Sequence, residues 1–338
     1  MNKMYLVADI LDKDILKEPN RKGFGKGLLE AGRRDTNVVA ACADLTDSTQ
    51  ISLFRDAFPD RFIEIGVAEQ NLVTVGSGMA AMGKIPFVSS YAAFSPGRNW
   101  EQIRTTICLN DRPVKIIGSH AGLYTGKDGA THQMLEDIAL MRALPNMVVL
   151  APCDALEAEK MTIAMAEDSR PNYMRLAREP IPTITSAKTP FEIGKAYVYA
   201  PGTDVTIIAT GTMTYQALVA AERLYKTGVD AEVIHCPTIK PLDKETILES
   251  VHKTRAVVTV EEAQINGGLG GAVAELLGEE LPVPIRRVGV KDHFGESGDP
   301  EELLRHFGLT AEHIMLAAHL VADRKPVYQS KKHNPHKS

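Results

Sequence analysis

Wholly apolar runs of a few residues alternate along the chain with longer stretches whose apolar residues recur at helical spacing. Because the apolar runs show no polar alternation, they predict strands that are buried on both faces of a mostly parallel sheet. The predicted helices lie at residues 22–34, 51–58, 69–82, 97–109, 134–143, 155–167, 213–227, 244–252, 270–277 and 300–306. Strands that alternate with helices in this way predict an α/β fold built from three-layer α/β/α domains.

One segment interrupts this alternation and divides the chain. EPIPTITSAKTP is rich in proline and hydroxyl residues, a composition typical of a linker between domains. It separates a first domain, residues 1–185, from a second domain, residues 186–325. Residues 326–338 are polar, basic and without period, and they predict a flexible tail.

The stretch RFIEIGVAEQNLVTVGSGMAAMG places an acidic residue where an apolar strand runs into a helix. Glu69 is expected in the first turn of that helix, where free amide groups and the helix dipole favour a carboxylate. The small residues of the helix, Gly76 and Ala80 among them, favour close packing and predict burial on most sides. Capping explains many such acids, so a chemical role for Glu69 depends on the rest of the chain.

Composition excludes several kinds of partner. The net charge of -5 and the scattered basic residues give no footprint for nucleic acid. No apolar segment reaches the ~18 to 20 residues of a membrane span, and the acidic N-terminus is unlike a signal peptide, so a cytoplasmic protein without a membrane partner is expected. The four cysteines are far apart, mostly within apolar runs, and predict buried reduced thiols rather than a metal site: Cys42, Cys108, Cys153 and Cys236.

Two glycine-rich stretches resemble nucleotide-binding motifs but have the wrong spacing. GLYTGKD holds its glycines too close together for a phosphate-binding loop, and Asp128 replaces the hydroxyl that such a loop needs. NGGLGGAV lacks the third glycine of the dinucleotide fingerprint, which favours a tight turn before a helix.

The loop GSHAGLYTGKDGATHQ carries His120, Asp128 and His132 just after an apolar strand, where α/β proteins place ligands. Imidazoles and a carboxylate there can hydrogen-bond sugar hydroxyls or exchange protons. A metal site, although the spacing fits no standard ligand pattern, and a purely structural loop are the alternatives. Tyr91 and Phe94 follow another strand, where aromatic rings either stack on a heteroaromatic cofactor or pack in a core.

Three motifs in order, GVAEQN, SSYAAF and DGATHQ, resemble the C-terminal half of transketolase, and ADLTDS and RKG upstream strengthen the likeness. The resemblance covers nearly the whole chain, and it implies a pyrimidine-binding domain followed by the transketolase C-terminal domain. It also implies thiamine diphosphate as the cofactor and transfer of a two-carbon ketol unit between sugar phosphates.

Residue roles carry over from the same resemblance. Glu69 would hydrogen-bond the aminopyrimidine ring, Tyr91 and Phe94 would line its pocket, and His120 and His132 would serve proton transfers. The implied substrate-binding residues are Arg21, Asp44, Ser48, His120, Asp128, His132 and Arg178, with Arg175 as an alternative to Arg178.

The chain also departs from full-length transketolase, since nothing in it matches the GDG-type motif that holds the diphosphate and its metal. The resemblance therefore implies one subunit of a split transketolase. Its partner would be an N-terminal subunit that holds the diphosphate and most of the Mg²⁺ (or Ca²⁺) coordination, in an α2β2 assembly.

Three other interpretations stay open. The C-terminal half of a deoxyxylulose phosphate synthase shares FPDRF, AEQ and DGxTHQ, but ADLTDS argues against it. The beta chain of a 2-oxo acid dehydrogenase matches DGATHQ poorly. A non-catalytic scaffold of the same fold is not favoured, because Glu69, Asp128 and His132 are all present.

Overall fold

The structure, a computed structural model, describes residues 5–12 and 14–323. The tail predicted at residues 326–338 lies outside these residues. The strands are β1 (Lys17–Glu18), β2 (Val38–Cys42), β3 (Phe62–Glu64), β4 (Ile85–Tyr91), β5 (Lys115–Ser119), β6 (Val148–Leu150), β7 (Asn172–Arg175), β8 (Ile181–Pro182), β9 (Tyr197–Ala200), β10 (Val205–Ala209), β11 (Ala231–His235), β12 (Thr238–Lys240), β13 (Val257–Gln264) and β14 (Ile285–Val290).

The helices alternate with these strands. They are α1 (Asn20–Arg34), α2 (Ser52–Ala57), α3 (Glu69–Ala81), α4 (Trp100–Gln102, continued as a π-helix Ile103–Cys108), α5 (Asp137–Arg142), α6 (Ala155–Glu167), α7 (Met213–Lys226), α8 (Lys244–Thr254), α9 (Leu269–Glu280), α10 (Pro300–His306) and α11 (Ala311–Ala322). Short 3-10 turns occupy Pro59–Arg61 and Leu123–Asp128. None of the helices in the described ranges is long and apolar enough to cross a membrane.

The first sheet has seven strands in the order β12-β6-β7-β5-β4-β2-β3. Its strands from β6 to β3 pair in parallel, as their continuous apolar sequences predict. Side chains of α1 and α6 pack on one face, and side chains of α3, α5 and the π-helix pack on the other. The α/β/α layering predicted for the first domain is thus confirmed.

The second sheet has the order β14-β13-β10-β11-β9, in which only the edge strand β9 runs antiparallel. Helices α7 and α11 contribute to the core on one face, and α8 and α9 contribute to the core on the other. Helix α11 was not among the predicted helices, although its apolar residues have helical spacing.

The two sheets are joined more closely than a linker suggests. Strand β12 follows β11 in the chain, yet it pairs antiparallel with β6 and so extends the first sheet. The predicted linker is buried in part: Ile181 and Ile184 lie in the core cluster that contains β10 and α7. The backbone amides of Ile184 and Thr185 also donate to the Asp154 carboxylate, at 2.9 and 2.7 Å. The segment connects the domains as a packed part of their interface.

A buried histidine–glutamate pair also crosses this interface. His235 Nε2, at the end of β11, lies 2.8 Å from Glu157 Oε2 on α6, and both side chains are buried. The Thr214 hydroxyl lies 2.8 Å from the other ring nitrogen, which completes the polar contacts of the imidazole. Burial raises the pKa of Glu157, but the attraction of His235 outweighs it and holds that pKa below its usual value.

Candidate functional site

Glu69 is the first residue of α3, as the sequence predicts, and its side chain is only 1% exposed. Its Oε2 accepts a 2.7 Å hydrogen bond from Arg98, and its Oε1 lies 3.3 Å from the Ser90 hydroxyl. The Asn99 amide holds the backbone carbonyl of Glu69 at 2.9 Å. The carboxylate is therefore fixed in position, with a weak hydrogen bond on one of its oxygens.

Helix α3 is not buried on most sides. Leu72, Val73 and Gly76 face the sheet, and a Cβ on Gly76 would lie 2.8 Å from Val88, so close packing does require glycine there. The opposite face is open to solvent. Val67, just before the helix, is 71% exposed, and Met82, just after it, is 82% exposed. A cleft of about 500 Å³ runs along this open face and reaches Glu69.

Arg98 was not among the residues predicted for the site. Besides its bond to Glu69, its guanidinium lies 4.9 Å from the centroid of the Phe94 ring, and about half of its side chain is exposed. It thus connects the carboxylate to the aromatic pair. Its place directly after AAFSPG was the available signal, but an arginine in a loop is most often a surface residue.

Two aromatic rings and two imidazoles form one cluster. Tyr91 stacks on His120 with 3.8 Å between ring centroids, and Phe94 lies 6.1 Å from Tyr91 in a near-parallel orientation. His132 meets Phe94 edge-on at 5.5 Å. The strands β4 and β5, which are parallel neighbours, bring these residues together at their carboxyl ends.

His120 is held in its neutral form. Burial and the nearby charges of Arg21 and Arg178 lower the pKa of His120 to about 3. Its Nδ1 lies 2.9 Å from the Ser119 hydroxyl. A neutral imidazole in this place can exchange or share a hydrogen bond with a substrate hydroxyl, but it does not carry a positive charge near neutral pH.

Arginines and an aspartate lie beside the imidazoles. The Arg178 guanidinium is 3.1 Å from Asp128 Oδ1 and also donates to the Thr125 carbonyl at 3.1 Å. Arg21 donates to the carbonyls of Arg178, at 3.2 Å, and of Ser48. Burial and the adjacent Arg178 lower the pKa of Arg21. These contacts bring together four of the predicted substrate-binding residues, Arg21, Ser48, Asp128 and Arg178. Ser48 takes part through its backbone carbonyl, which accepts from Arg21.

Arg175 points elsewhere. It is buried, it pairs with the Asp137 carboxylate at 2.6 Å, and it donates to the backbone carbonyl of Glu262. Tyr173 adds a 2.7 Å hydrogen bond to the same carboxylate of Asp137. Of the two arginines left open by the sequence, Arg178 is the one beside Asp128.

Asp44 lies at the same edge of the first sheet, just after β2, but its side chain is exposed and no contact joins it to the imidazoles. Its backbone has a positive φ of 57°. The amide of Asp44 donates to Glu64 Oε1 at 2.7 Å, which ties this turn to the end of β3. The structure thus places Asp44 at the rim of the candidate site.

The four cysteines are free thiols and are buried. In the described ranges, one group of possible metal ligands lies together, namely Cys153, Glu157 and His235. Burial raises the pKa of the Cys153 thiol well above its usual value, so the ligand form is disfavoured. Because Glu157 and His235 already bond each other, this group serves as a contact between domains.

Comparison with known proteins identifies the class to which this fold and this cluster belong. The family model "Transketolase, pyrimidine binding domain" matches residues 18–183, and "Transketolase, C-terminal domain" matches residues 194–314. The chain belongs to the transketolase family, whose members depend on thiamine diphosphate.

Individual relatives narrow this class. A putative transketolase C-terminal section of Methanocaldococcus jannaschii is 46% identical, over 87% of this chain and 93% of the relative. A 6-deoxy-6-sulfo-D-fructose transketolase subunit of a Clostridium species is 44% identical, over 88% of this chain and 92% of the relative. A solved structure described as a split gene transketolase, inactive beta4 tetramer, matches with a TM-score of 0.86 and 45% identity, over 91% of this chain and 99% of that one. The chain thus groups with the C-terminal sections of split transketolases.

The residues present fit the pyrimidine end of thiamine diphosphate. Glu69 keeps an oxygen with only a weak hydrogen bond at the end of an open cleft, and Arg98 links Glu69 to an aromatic ring. A heteroaromatic ring with ring nitrogens is bound by a hydrogen-bond partner, here Glu69, and by an aromatic side chain against which it packs, here Phe94.

Proposed function

We propose that this chain supplies the pyrimidine-binding and sugar-binding half of a two-chain transketolase, which transfers a two-carbon ketol unit from a ketose phosphate to an aldose phosphate. The observation that supports it best is the convergence of Glu69, an aromatic pair and two imidazoles next to Arg21 and Arg178. When bound, thiamine diphosphate supplies the carbon nucleophile that accepts the ketol unit.

In this proposal, the residues around the pyrimidine ring and the two imidazoles have different roles. Glu69 holds a proton between its carboxyl group and the pyrimidine nitrogen, and Tyr91 and Phe94 hold the plane of that ring. His132 accepts and returns the proton of a sugar hydroxyl, and the neutral His120 shares a hydrogen bond with a sugar hydroxyl and orients it.

Recognition of the sugar is assigned to a separate group. Asp128 accepts a hydrogen bond from a sugar hydroxyl, while Arg21, Arg178 and the Ser48 hydroxyl bind the terminal anion of the substrate. The two guanidinium groups fit the oxygens of a phosphate or a sulfonate. A phosphate carries more charge, which favours a sugar phosphate. The sulfosugar named for a relative makes a sulfonate donor the second candidate.

The diphosphate and its Mg²⁺ (or Ca²⁺) are assigned to a separate N-terminal subunit, and the assembly to two copies of each chain. The open face of α3, with Val67 and Met82 exposed, suits a protein interface beside Glu69. The solved relative is described as an inactive tetramer of beta chains, which agrees with a requirement for a second subunit.

Steady-state kinetics of the reconstituted complex test this proposal. One reaction contains a ketose phosphate as donor and ribose 5-phosphate as acceptor, and the other contains pyruvate as donor and a triose phosphate as acceptor. Ketol transfer to ribose 5-phosphate is expected. Formation of a deoxyxylulose phosphate from pyruvate and a triose phosphate, without ketol transfer, would contradict it and favour the synthase alternative. A matched donor with a sulfonate in place of the phosphate separates the two candidate substrate classes.

A further inference from the structure

The loop of residues 120–133, here called the sugar loop, is held from outside the first domain. At its beginning, the Tyr124 amide donates to Glu262 Oε1 at 2.8 Å, and Thr212 binds the other oxygen of Glu262 at 2.8 Å. Gly122 has a positive φ of 71°, and a Cβ there would lie 2.3 Å from Glu262 Oε1. Glycine at this position is therefore what allows the carboxylate of the second domain to approach so closely.

The far end of the sugar loop is held by the segment between β14 and α10. Gln133 is 3% exposed, and its Nε2 donates to the carbonyls of Gly126 and Glu296, both at 2.8 Å. The Ser297 hydroxyl donates to the Lys127 carbonyl at 2.6 Å. Lys127 directly precedes Asp128, so this bond fixes the backbone next to the carboxylate.

The first domain contributes the opposing contact. Arg178 binds Asp128 Oδ1 and the Thr125 carbonyl, both at 3.1 Å. Asp128 thus lies between an arginine of one domain and a backbone anchor of the other. Any loosening of the anchor moves the carboxylate relative to Arg178, and a displaced acceptor forms a weaker hydrogen bond with a substrate hydroxyl.

We propose that Glu262, Glu296 and Ser297 of the C-terminal domain are positioning residues for sugar recognition, because they hold the sugar loop in the geometry that aims Asp128 and His132 at the substrate. The inference rests on the proposed function. It gives the C-terminal domain an indirect role in substrate binding, because none of the residues described for that domain lies in the cluster of imidazoles and arginines.

Ser297→Ala is the test variant, since Ser297 is exposed and its loss leaves no cavity. Ser169→Ala, an exposed serine between α6 and β7, is the matched control. Loss of one hydrogen bond is expected to speed amide exchange at residues 126–132 of the free chain about fivefold. In the two-chain complex, the affinity for a ketose phosphate, measured by calorimetry, is expected to fall about fivefold, with kcat changed less than twofold. The control changes neither.

Glu262→Gln keeps the shape of the buried side chain while removing one acceptor, and is expected to act in the same direction at residues 122–125. Unchanged exchange, or faster exchange with unchanged affinity, in Ser297→Ala overturns the positioning role. An affinity loss in a complex whose wild type transfers no ketol unit contradicts the proposed reaction but keeps the positioning role.

Discussion

The candidate site has a sugar end, around Asp128 and Arg178, and a pyrimidine end, around Glu69. The two ends differ in how firmly this chain holds their side chains in place. At the sugar end, Asp128 and Arg178 bind each other, and Ser297 holds the backbone beside them. At the pyrimidine end, Glu69 is buried, but its partner Arg98 is half exposed and α3 presents an open face to solvent. The sugar end is held in place by both domains, whereas the pyrimidine end opens onto a cleft.

This difference agrees with a division of labour between two polypeptides. Groups that must discriminate among sugars gain from a rigid support, because a misplaced hydrogen-bond partner discriminates poorly. Groups that meet a cofactor carried by another subunit need an accessible surface instead. The comparison yields distinct expectations for substitutions at each end.

Glu69→Gln is expected to have the largest effect. The side chain is nearly isosteric, but an amide cannot share the proton that the pyrimidine ring needs, so turnover should fall about 100- to 1000-fold with every substrate. Proton exchange at the cofactor, followed by NMR on the assembled complex, should slow in parallel. Glu101→Gln, an exposed glutamate on α4, serves as the control. Normal exchange with reduced turnover would mean that Glu69 acts elsewhere in the reaction.

Arg178→Ala and Arg21→Ala are expected to reduce kcat/KM for sugar phosphates about tenfold to 100-fold, since a charge-assisted hydrogen bond contributes about 1.5 to 3 kcal/mol. An unphosphorylated acceptor such as glycolaldehyde makes no such contact and should be spared. The ratio of kcat/KM for the two acceptors is the quantity to measure, and an equal penalty for both would remove the arginines from anion binding.

Arg175→Ala separates this effect from a structural one. Its loss leaves the Asp137 carboxylate buried without its cation, which should lower the free energy of unfolding by about 3 to 5 kcal/mol. Denaturant unfolding measures this loss. Any surviving activity should show the wild-type preference for phosphorylated acceptors, and a selective loss of that preference would contradict the placement of Arg175 away from the anion.

Asp128→Ala is expected to lower kcat/KM about tenfold for donors that carry the matching hydroxyl, and less for donors that lack it. The reason is that the sugar hydroxyl loses its acceptor only in the first case. Asp128→Asn, which keeps the size of the side chain, should fall between the wild type and Asp128→Ala. Equal losses for both donor types would argue against a role in recognition.

The last effect concerns stability and pH rather than turnover. With the pKa of His120 lowered to about 3 in the folded chain, the unfolded chain binds the proton first as pH falls below about 6.5. Folding therefore loses stability between about pH 6.5 and 3, by at most about 1.4 kcal/mol per pH unit for this group. His120→Asn should show a shallower decline in urea unfolding at pH 6, 5 and 4. Parallel curves would indicate that His120 is protonated without cost.

Much of this architecture could be predicted from local patterns. Helix α6 spans Ala155–Glu167 as predicted, because its apolar spacing and the cap at Asp154 are local signals. The parallel order of β4 and β5 brings Tyr91 next to His120, and this proximity followed from the general rule that ligands bind at the carboxyl ends of strands.

What could not be predicted depends on contacts between distant parts of the chain. Strand β12 joins the first sheet although it belongs in sequence to the second domain. A strand of three residues is too short for its sequence to predict which strand it pairs with. The hydrogen bond from the Ser297 hydroxyl to the Lys127 carbonyl likewise joins the two domains. Arg98 shows the same limit, since its bond to Glu69 becomes evident only in the folded chain.

The most direct test of the central claim compares ketol transfer by this chain alone and by the chain mixed with an N-terminal transketolase subunit. Both reactions contain thiamine diphosphate, Mg²⁺, a ketose phosphate donor and ribose 5-phosphate. The account predicts no transfer by the chain alone, transfer by the mixture, and loss of that transfer in Glu69→Gln. Measurable transfer by the chain alone, or an undiminished rate in the Glu69→Gln mixture, would contradict it.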